Sequence, residues 1–341
     1  MTRQYAEAGV DLDGAEAAKV RIARAVETTR TSLTAGRVGA FGGMVRIPEG
    51  MHRPTLVLST DGVGTKVLVA LEAGRFDSVG EDLVNHSVND ILVHGATPIA
   101  FMDYIAGSGL TVEQIAGLVE GIARACRNHR MTLAGGETAQ MPGLYRTGTY
   151  DLAGTIVGVV EEGAAIQGDA IRPGDVLLGY ASTGLHTNGY TLARRVVFDR
   201  MGLGIDDRFL GLDRSVADVL LDVHRSYFRS VMPVISQVHG LAHITGGGIP
   251  GNLVRILPTG CEALVDPQSW DSPPLFTTLQ QAGGISTEEM RDVFNLGVGL
   301  IAVLPPQNVA AAQAAAAADG VATWTMGEIR PGEQTVRFAR S

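Results

Sequence analysis

The run Leu56-Val57-Leu58-Ser59-Thr60-Asp61-Gly62-Val63-Gly64-Thr65-Lys66 constrains this chain more than any other stretch. Leu56, Val57 and Leu58 read as a short buried strand, which breaks at Asp61 into a turn with two glycines. Gly62 and Gly64 let the backbone turn sharply and come close to a ligand. Asp61 offers oxygen to a metal, and Lys66 offers a point charge to a phosphoryl oxygen. An acid and an ammonium around a glycine turn are the minimum needed to handle a nucleotide. A tight turn closed by a solvated ion pair is the other reading of the same residues.

Standard nucleotide loops do not fit the run. Gly64-Thr65-Lys66-Val67 lacks the adjacent Gly-Lys-Ser/Thr of a Walker A loop, and Val67 stands where a dinucleotide fingerprint needs its third glycine. The chain also has no Gly-x-Ser-x-Gly elbow and no His-Glu-x-x-His.

A length of 341 residues predicts two domains of ordinary size. A net charge of -9 argues against a general nucleic-acid binder, which needs a Lys/Arg surface. Cys126 and Cys261 are the only cysteines, too few for a disulfide framework or a cysteine zinc site, and this fits a reducing cytoplasm. The opening residues have no apolar core for a signal peptide, and the longest apolar run, Leu296 to Leu304, is too short to cross a bilayer. No membrane and no nucleic acid are expected as partners.

In chain order, a glycine- and acid-rich lead-in from Ala6 to Gly14 feeds a helix over 15–29. Four glycines then surround Phe41, which makes either a connector or a lid over a ligand. The spacing predicts a helix from Val79 to Val93 with Asp82, Asn85, His86, Asn89 and Asp90 on one side and Val84, Val88 and Ile91 on the other. Asp, Asn and His give up helix propensity, so this polar stripe suits a ligand or metal better than a solvated face would. Strands are expected over 98–106 and 131–134, with a helix over 111–129 between them. The second strand ends in Gly135-Gly136-Glu137. Asp61, Asp90 and Glu137 converging on a hard cation such as Mg²⁺ is one reading, and unrelated surface loops the other.

A strand over 150–161 and a connector over 164–174 place a domain boundary after residue 163, giving domains 1–163 and 164–341. The second half opens with a strand over 176–181 and the polar loop Ser182-Thr183-Gly184-Leu185-His186-Thr187-Asn188-Gly189-Tyr190. Backbone amides with hydroxyl and amide side chains beside a helix start suit an anion. His186 is an acid/base candidate or a capping neighbour. Thr245-Gly246-Gly247-Gly248 opens another helix, with phosphate as the expected guest. A strand is expected from Phe294 to Leu304, and Ala310 to Ala318 reads as a plain surface helix.

Taken in order, these motifs resemble the phosphoribosylformylglycinamidine cyclo-ligase (aminoimidazole ribonucleotide synthetase) family. The anchors are Ala8-Gly9-Val10-Asp11, the Phe41 loop, Asp61 to Lys66, Val88-Asn89-Asp90, Gly135-Gly136-Glu137-Thr138, Met141-Pro142-Gly143, His186 to Tyr190, Thr245 to Gly248, and Phe294 to Gly299. The resemblance implies a two-domain α+β fold, with an N-terminal ATP/metal-binding and dimerisation domain whose sheet joins that of a second subunit, and a C-terminal α/β sandwich-type domain. It implies purine biosynthesis: ATP phosphorylates the formyl oxygen of formylglycinamidine ribonucleotide, and the amidine nitrogen attacks the same carbon with loss of phosphate.

On that resemblance Asp61, Asp90 and Glu137 are expected to hold Mg²⁺. ATP is expected at Asp61, Gly62, Gly64, Thr65, Lys66, Asp82, Asn89, Gly135 and Gly136. The ribonucleotide is expected at Phe41, Gly42, His186, Asn188, Thr245, Gly246, Gly247 and Gly248, with His186, Lys66 and Asp61 as catalytic groups. The chain departs from many relatives at Gln140, Thr187, Thr191, Leu296 and Ala23. The alternatives are another phosphoryl-transfer enzyme of the same superfamily, such as a thiamine-monophosphate kinase, and a non-catalytic nucleotide-binding protein.

Overall fold

The computed structural model describes residues 12–37 and 39–339, so the Ala8–Asp11 anchor lies outside the described residues. The chain divides into two compact units, one of residues up to Ile91 together with Thr97–Glu161, the other of Leu92–Ala96 together with Glu162 onward.

The first unit runs α1 (Leu12–Glu27), β1 (Pro54–Gly62), α2 (Lys66–Glu72), α3 (Asp77–Leu92), β2 (Thr97–Gly107), α4 (Val112–Asn128), β3 (Thr132–Gln140) and β4 (Tyr150–Glu161). Its sheet has the order β1-β4-β2-β3, antiparallel except between β2 and β3. α4 starts on a reciprocal cap: the Gln114 amide donates to Thr111 Oγ1, and the Thr111 amide donates to Gln114 Oε1. α4 and α3 pack closely at Gly121, where a Cβ would come within 2.0 Å of the Asp77 carbonyl oxygen. Only glycine allows that approach.

Period-two alternation gives the sheet two faces. Phe101, Asp103 and Ile105 of β2 share one with Ser59 and Asp61 of β1. A Cβ on Gly154 of β4 would meet both Phe101 and Leu83 of α3, so this is the helix-covered side. On the other face Thr60 and Thr155 join their hydroxyls at 2.8 Å. There Leu58, Met102 and Tyr104 are exposed. The expectation that Leu56 and Leu58 begin a buried strand is corrected: they are 47% and 62% exposed, because they lie on the face of the sheet that the unit's helices do not cover.

On α3 the solvated-face alternative does not hold. Its polar stripe does not face solvent: Asp82, Asn85, His86, Ser87 and Asn89 are buried, as are Val79, Leu83, Val84, Val88 and Ile91. A helix buried all round must pair its polar side chains internally. β3 is likewise longer than expected and runs through Gly135, Gly136 and Glu137 instead of ending before them.

The second unit contains β5 (Val176–Ala181), α5 (Tyr190–Arg194), α6 (Val216–Leu220), α7 (Phe228–Val231), β6 (Gly240–His243), α8 (Gly248–Leu253), β7 (Cys261–Val265), α9 (Pro274–Gly283), α10 (Thr287–Val293), β8 (Val298–Leu304), α11 (Val309–Ala318), β9 (Thr323–Pro331) and β10 (Thr335–Phe338). The six strands are ordered β10-β7-β9-β5-β8-β6. β8 is buried along its whole length because the sheet is covered on both faces. Ile301 and Val303 pack with Ile249 and Leu253 on one side, and Leu300, Ala302 and Leu304 pack with Tyr227, Ala312 and Ala316 on the other. The alanine-rich α11 is therefore more than a surface helix, since Ala312 and Ala316 are small enough to seat it on the core. β8 begins at Val298, four residues later than expected, and Asn295–Gly297 form a turn ahead of it.

Candidate active site

In the first unit the chemistry gathers where the end of β1 meets α3. Asp61 Oδ1 accepts the Gly62 amide at 2.7 Å, and its Oδ2 lies 2.8 Å from His86 Nε2. The same His86 nitrogen is 3.6 Å from Asp90 Oδ2, which accepts the Ser59 hydroxyl at 3.0 Å. Burial alone would raise the Asp61 pKa, but the hydrogen bond and charge of His86, together with the Gly62 amide, outweigh it and hold the carboxyl below its ordinary value. Burial would lower the His86 pKa, but the Asp61 hydrogen bond and the charges of Asp90, Asp61 and Asp82 prevail and raise it. The His86 ring thus lies between two carboxylates, in the place where a divalent cation would find two hard oxygen donors. Asp61 and Asp90 fit Mg²⁺ on this observation.

Lys66 stands elsewhere than expected. Its ammonium is 2.7 Å from Asp82 Oδ2 and both side chains are fully buried, so it faces α3 and not an open surface. Thr65 sits at the start of α2 without a side-chain cap, and Gly64 has φ 61°. Asn89 is fully buried on α3.

Glu137 is not brought to Asp61 and Asp90 within the unit. β3 is the opposite edge of the sheet from β1, and the register sets Glu137 beside Tyr104, on the exposed face. Gly136 lies beside Asp103 on the covered face, where a Cβ would meet the Asp103 carboxylate. Burial pushes the Asp103 carboxyl up to about 7 against a weaker opposing backbone hydrogen bond. Gly135 has open space where a Cβ would stand. The Phe41 loop is pinned at Gly43, which packs on Ala134 of β3, while Phe41 is fully exposed and a Cβ at Gly42 would meet no described atom within 4 Å.

In the second unit the loop after β5 folds inward. His186 has φ 61° and is buried, and its Nε2 accepts the Thr183 amide at 3.2 Å. Its ring stacks on His224 with centroids 4.0 Å apart. Asn188 lies against Gly246, 3.4 Å from where a Cβ would stand, and its buried Nδ2 finds no hydrogen-bond partner among the described residues. An orphaned donor of that kind suits an anionic guest.

The glycine triplet has a mixed explanation. Asn252 Nδ2 donates to the carbonyls of Thr245, Gly246 and Gly248, which ties the turn to its own helix. Gly248 has φ 57°, and a Cβ there would lie 1.8 Å from the Arg291 carbonyl oxygen. At Gly248 the close neighbour of a Cβ would therefore be protein backbone. A Cβ on Gly247, with φ 91°, would meet Gly251 at 3.5 Å.

Several contributors had no motif to announce them. His86 appeared only as one member of the α3 stripe, and Ser59 as a strand residue. His224 lies in an irregular segment without a pattern. Asn295 holds the loop by donating to the Gly184 carbonyl at 2.8 Å and accepting the Ser182 hydroxyl at 3.1 Å, a clasp between residues more than a hundred positions apart.

The family described as AIR synthase related protein, N-terminal domain, matches residues 42–160, and the corresponding C-terminal domain matches residues 172–339. The phosphoribosylformylglycinamidine cyclo-ligase of Myxococcus xanthus is 45% identical over 98% of this chain and 97% of that protein. The protein of the same name from Sorangium cellulosum is 45% identical, covering 96% of each. Among solved structures, thiamine-monophosphate kinase from Stenotrophomonas maltophilia superposes with a TM-score of 0.70 at 17% identity, over 94% of this chain and 95% of that one. The hydrogenase maturation protein HypE in complex with ATP gives 0.63 at 19% identity, over 92% of this chain and 88% of that one. At such identities these two share the two-domain α+β fold and carry nothing further. Both halves of the chain match one family, at close to half identity over nearly the full length, and the chain therefore belongs to the phosphoribosylformylglycinamidine cyclo-ligase family.

Proposed function

We propose that this protein catalyses the ATP-dependent closure of formylglycinamidine ribonucleotide to 5-aminoimidazole ribonucleotide, releasing ADP and phosphate, in purine biosynthesis. The observation that carries the reading is the full-length identity to proteins named for this reaction. The kinase-like alternative has only a shared fold at 17% identity behind it.

In this reading Asp61 and Asp90 hold Mg²⁺, which when bound neutralises charge on the transferring phosphoryl group. ATP is proposed because the family's chemistry requires it and because HypE, of the same fold, was solved with it. Gly62, Gly64, Thr65, Gly135 and Gly136 remain the proposed backbone contacts for ATP. The buried positions of Lys66, Asp82 and Asn89 support a role in holding the β1–α2 turn against α3. His186 is proposed to stabilise the activated formyl oxygen or move its proton, and Asn188 to donate its orphaned amide to a substrate phosphate. Phe41 and Gly42 are proposed to close over the ribonucleotide.

The exposed apolar face bearing Leu58, Met102 and Tyr104 supports a homodimer that joins the two N-terminal sheets. Glu137 lies on that face, so its metal role is proposed to arise only in the assembled dimer. Among the described residues no helix is long and apolar enough to cross a membrane, and a cytoplasmic location is proposed from the metabolic role.

Purified protein incubated with formylglycinamidine ribonucleotide, ATP and Mg²⁺ tests the reading. The expected result is 5-aminoimidazole ribonucleotide with one ADP released per ring closed. ADP release without the imidazole product would overturn it.

A further inference from the structure

Two buried histidines that the proposed reaction does not use stand behind His186. His224, between α6 and α7, is fully buried, and its ring stacks on that of His186 with centroids 4.0 Å apart and planes 23° from parallel. Both nitrogens of His224 are engaged: Nδ1 is 3.3 Å from Thr187 Oγ1, and Nε2 is 3.1 Å from His243 Nε2. His243 closes β6, where its backbone pairs with Leu300 of the fully buried β8. The His224 ring is therefore tethered to the sheet on one side and to the His186 loop on the other. Turning it would break a buried hydrogen bond, which is costly.

Two more groups fix the His186 ring. A Cβ on Gly299 of β8 would lie 2.5 Å from His186 Cε1, so only glycine leaves room for that edge. The Thr183 amide donates to Nε2, and a nitrogen that accepts a proton carries none, so the ring is neutral with its own proton on Nδ1. We infer that His224 is a positioning residue for the reaction: held by Thr187 and His243, its ring is the wall that keeps His186 a hydrogen-bond donor through Nδ1. The inference rests on the reading that His186 meets the formyl oxygen, and it narrows the two roles proposed there to one. A ring with Nε2 occupied and Nδ1 protonated donates to charge developing on that oxygen, and is not poised to remove a proton.

Steady-state kinetics of ring closure on the full chain test it. His224→Ala is expected to lower kcat by about 10–100-fold, as a small misplacement of a reacting group does, with KM for both substrates within about twofold of the parent. His224→Phe keeps a flat ring behind His186 and is expected to recover part of the loss. In a His186→Ala background the His224→Ala change should cost little further, because the group it positions is gone. An unchanged kcat in folded His224→Ala, or an equal loss with His186 already removed, would overturn the inference. Nitrogen NMR of histidine-labelled protein reads the same claim without turnover. His186 is expected to show a protonated Nδ1 and an unprotonated Nε2, and to lose that single tautomer in His224→Ala. An unprotonated Nδ1 in the unaltered chain overturns the inference even where the alanine variant does not fold. A parent that closes no ring overturns the proposed reaction and not the tautomer, which the spectrum decides by itself.

Discussion

His86 Nε2 lies 2.8 Å from Asp61 Oδ2, so a buried side chain of α3 holds the carboxylate at the end of β1. The contact joins the strand end singled out by its glycines to the helix singled out by its polar stripe. It also shifts the pKa of both partners, Asp61 down and His86 up.

Asp61→Asn is expected to lower ring closure by about 100-fold or more, on the proposal that Asp61 is a cation ligand. Stability should fall by only about 1 kcal/mol, because the Asp61 side chain is half exposed and its pairing is screened. The pH dependence of unfolding gives a second signature. His86 is raised in the folded state, so its contribution is fully present below the ordinary histidine pKa and is lost as pH rises through the raised value. Asn at 61 should flatten that decline above pH 6.5, about the ordinary histidine value. Urea unfolding across that window measures it, and an unchanged slope would deny the coupling.

Asp103 supplies a carboxyl with the opposite sign. Its folded pKa of about 7 lies above the ordinary carboxylate value of 3.8, so the folded state binds the extra proton. Stability therefore falls as pH climbs from that value to about 7 and is level above it. Asp103→Asn should remove the decline, gaining about 1–2 kcal/mol at pH 8 relative to the parent and almost nothing at pH 4. Thermal unfolding at the two pH values checks it, and equal effects at both would show that Asp103 is ionised throughout.

The strand-turn at Asp61, the strand over 150–161 and the helix after Thr111 were legible because local rules act within a few residues: alternation, glycine, and helical spacing of apolar side chains. Burial was less legible. Leu58 is as apolar as a core residue and is exposed, since which face of a sheet the helices cover is a property of the packing and not of the strand itself. The α3 stripe was visible as a pattern, but its partners His129 and Asp61 lie outside the helix, so sequence could not tell an internal network from a ligand-facing one. His224 was invisible because its partners His186 and His243 come from other segments of the fold.

Lys66 and Asp82 decide how the glycine turn works. Both are fully buried at 2.7 Å, a setting in which removing one partner leaves a costly charge behind while replacing both with apolar groups need not. Lys66→Met is therefore expected to destabilise by about 3–5 kcal/mol, and the double variant Lys66→Met with Asp82→Leu to recover most of that loss. Urea unfolding of the two single variants and the double one gives the coupling directly. If Lys66→Met instead costs under about 1 kcal/mol while abolishing ring closure, the ammonium serves phosphate and not the turn, and its burial against Asp82 is a state the enzyme leaves during turnover.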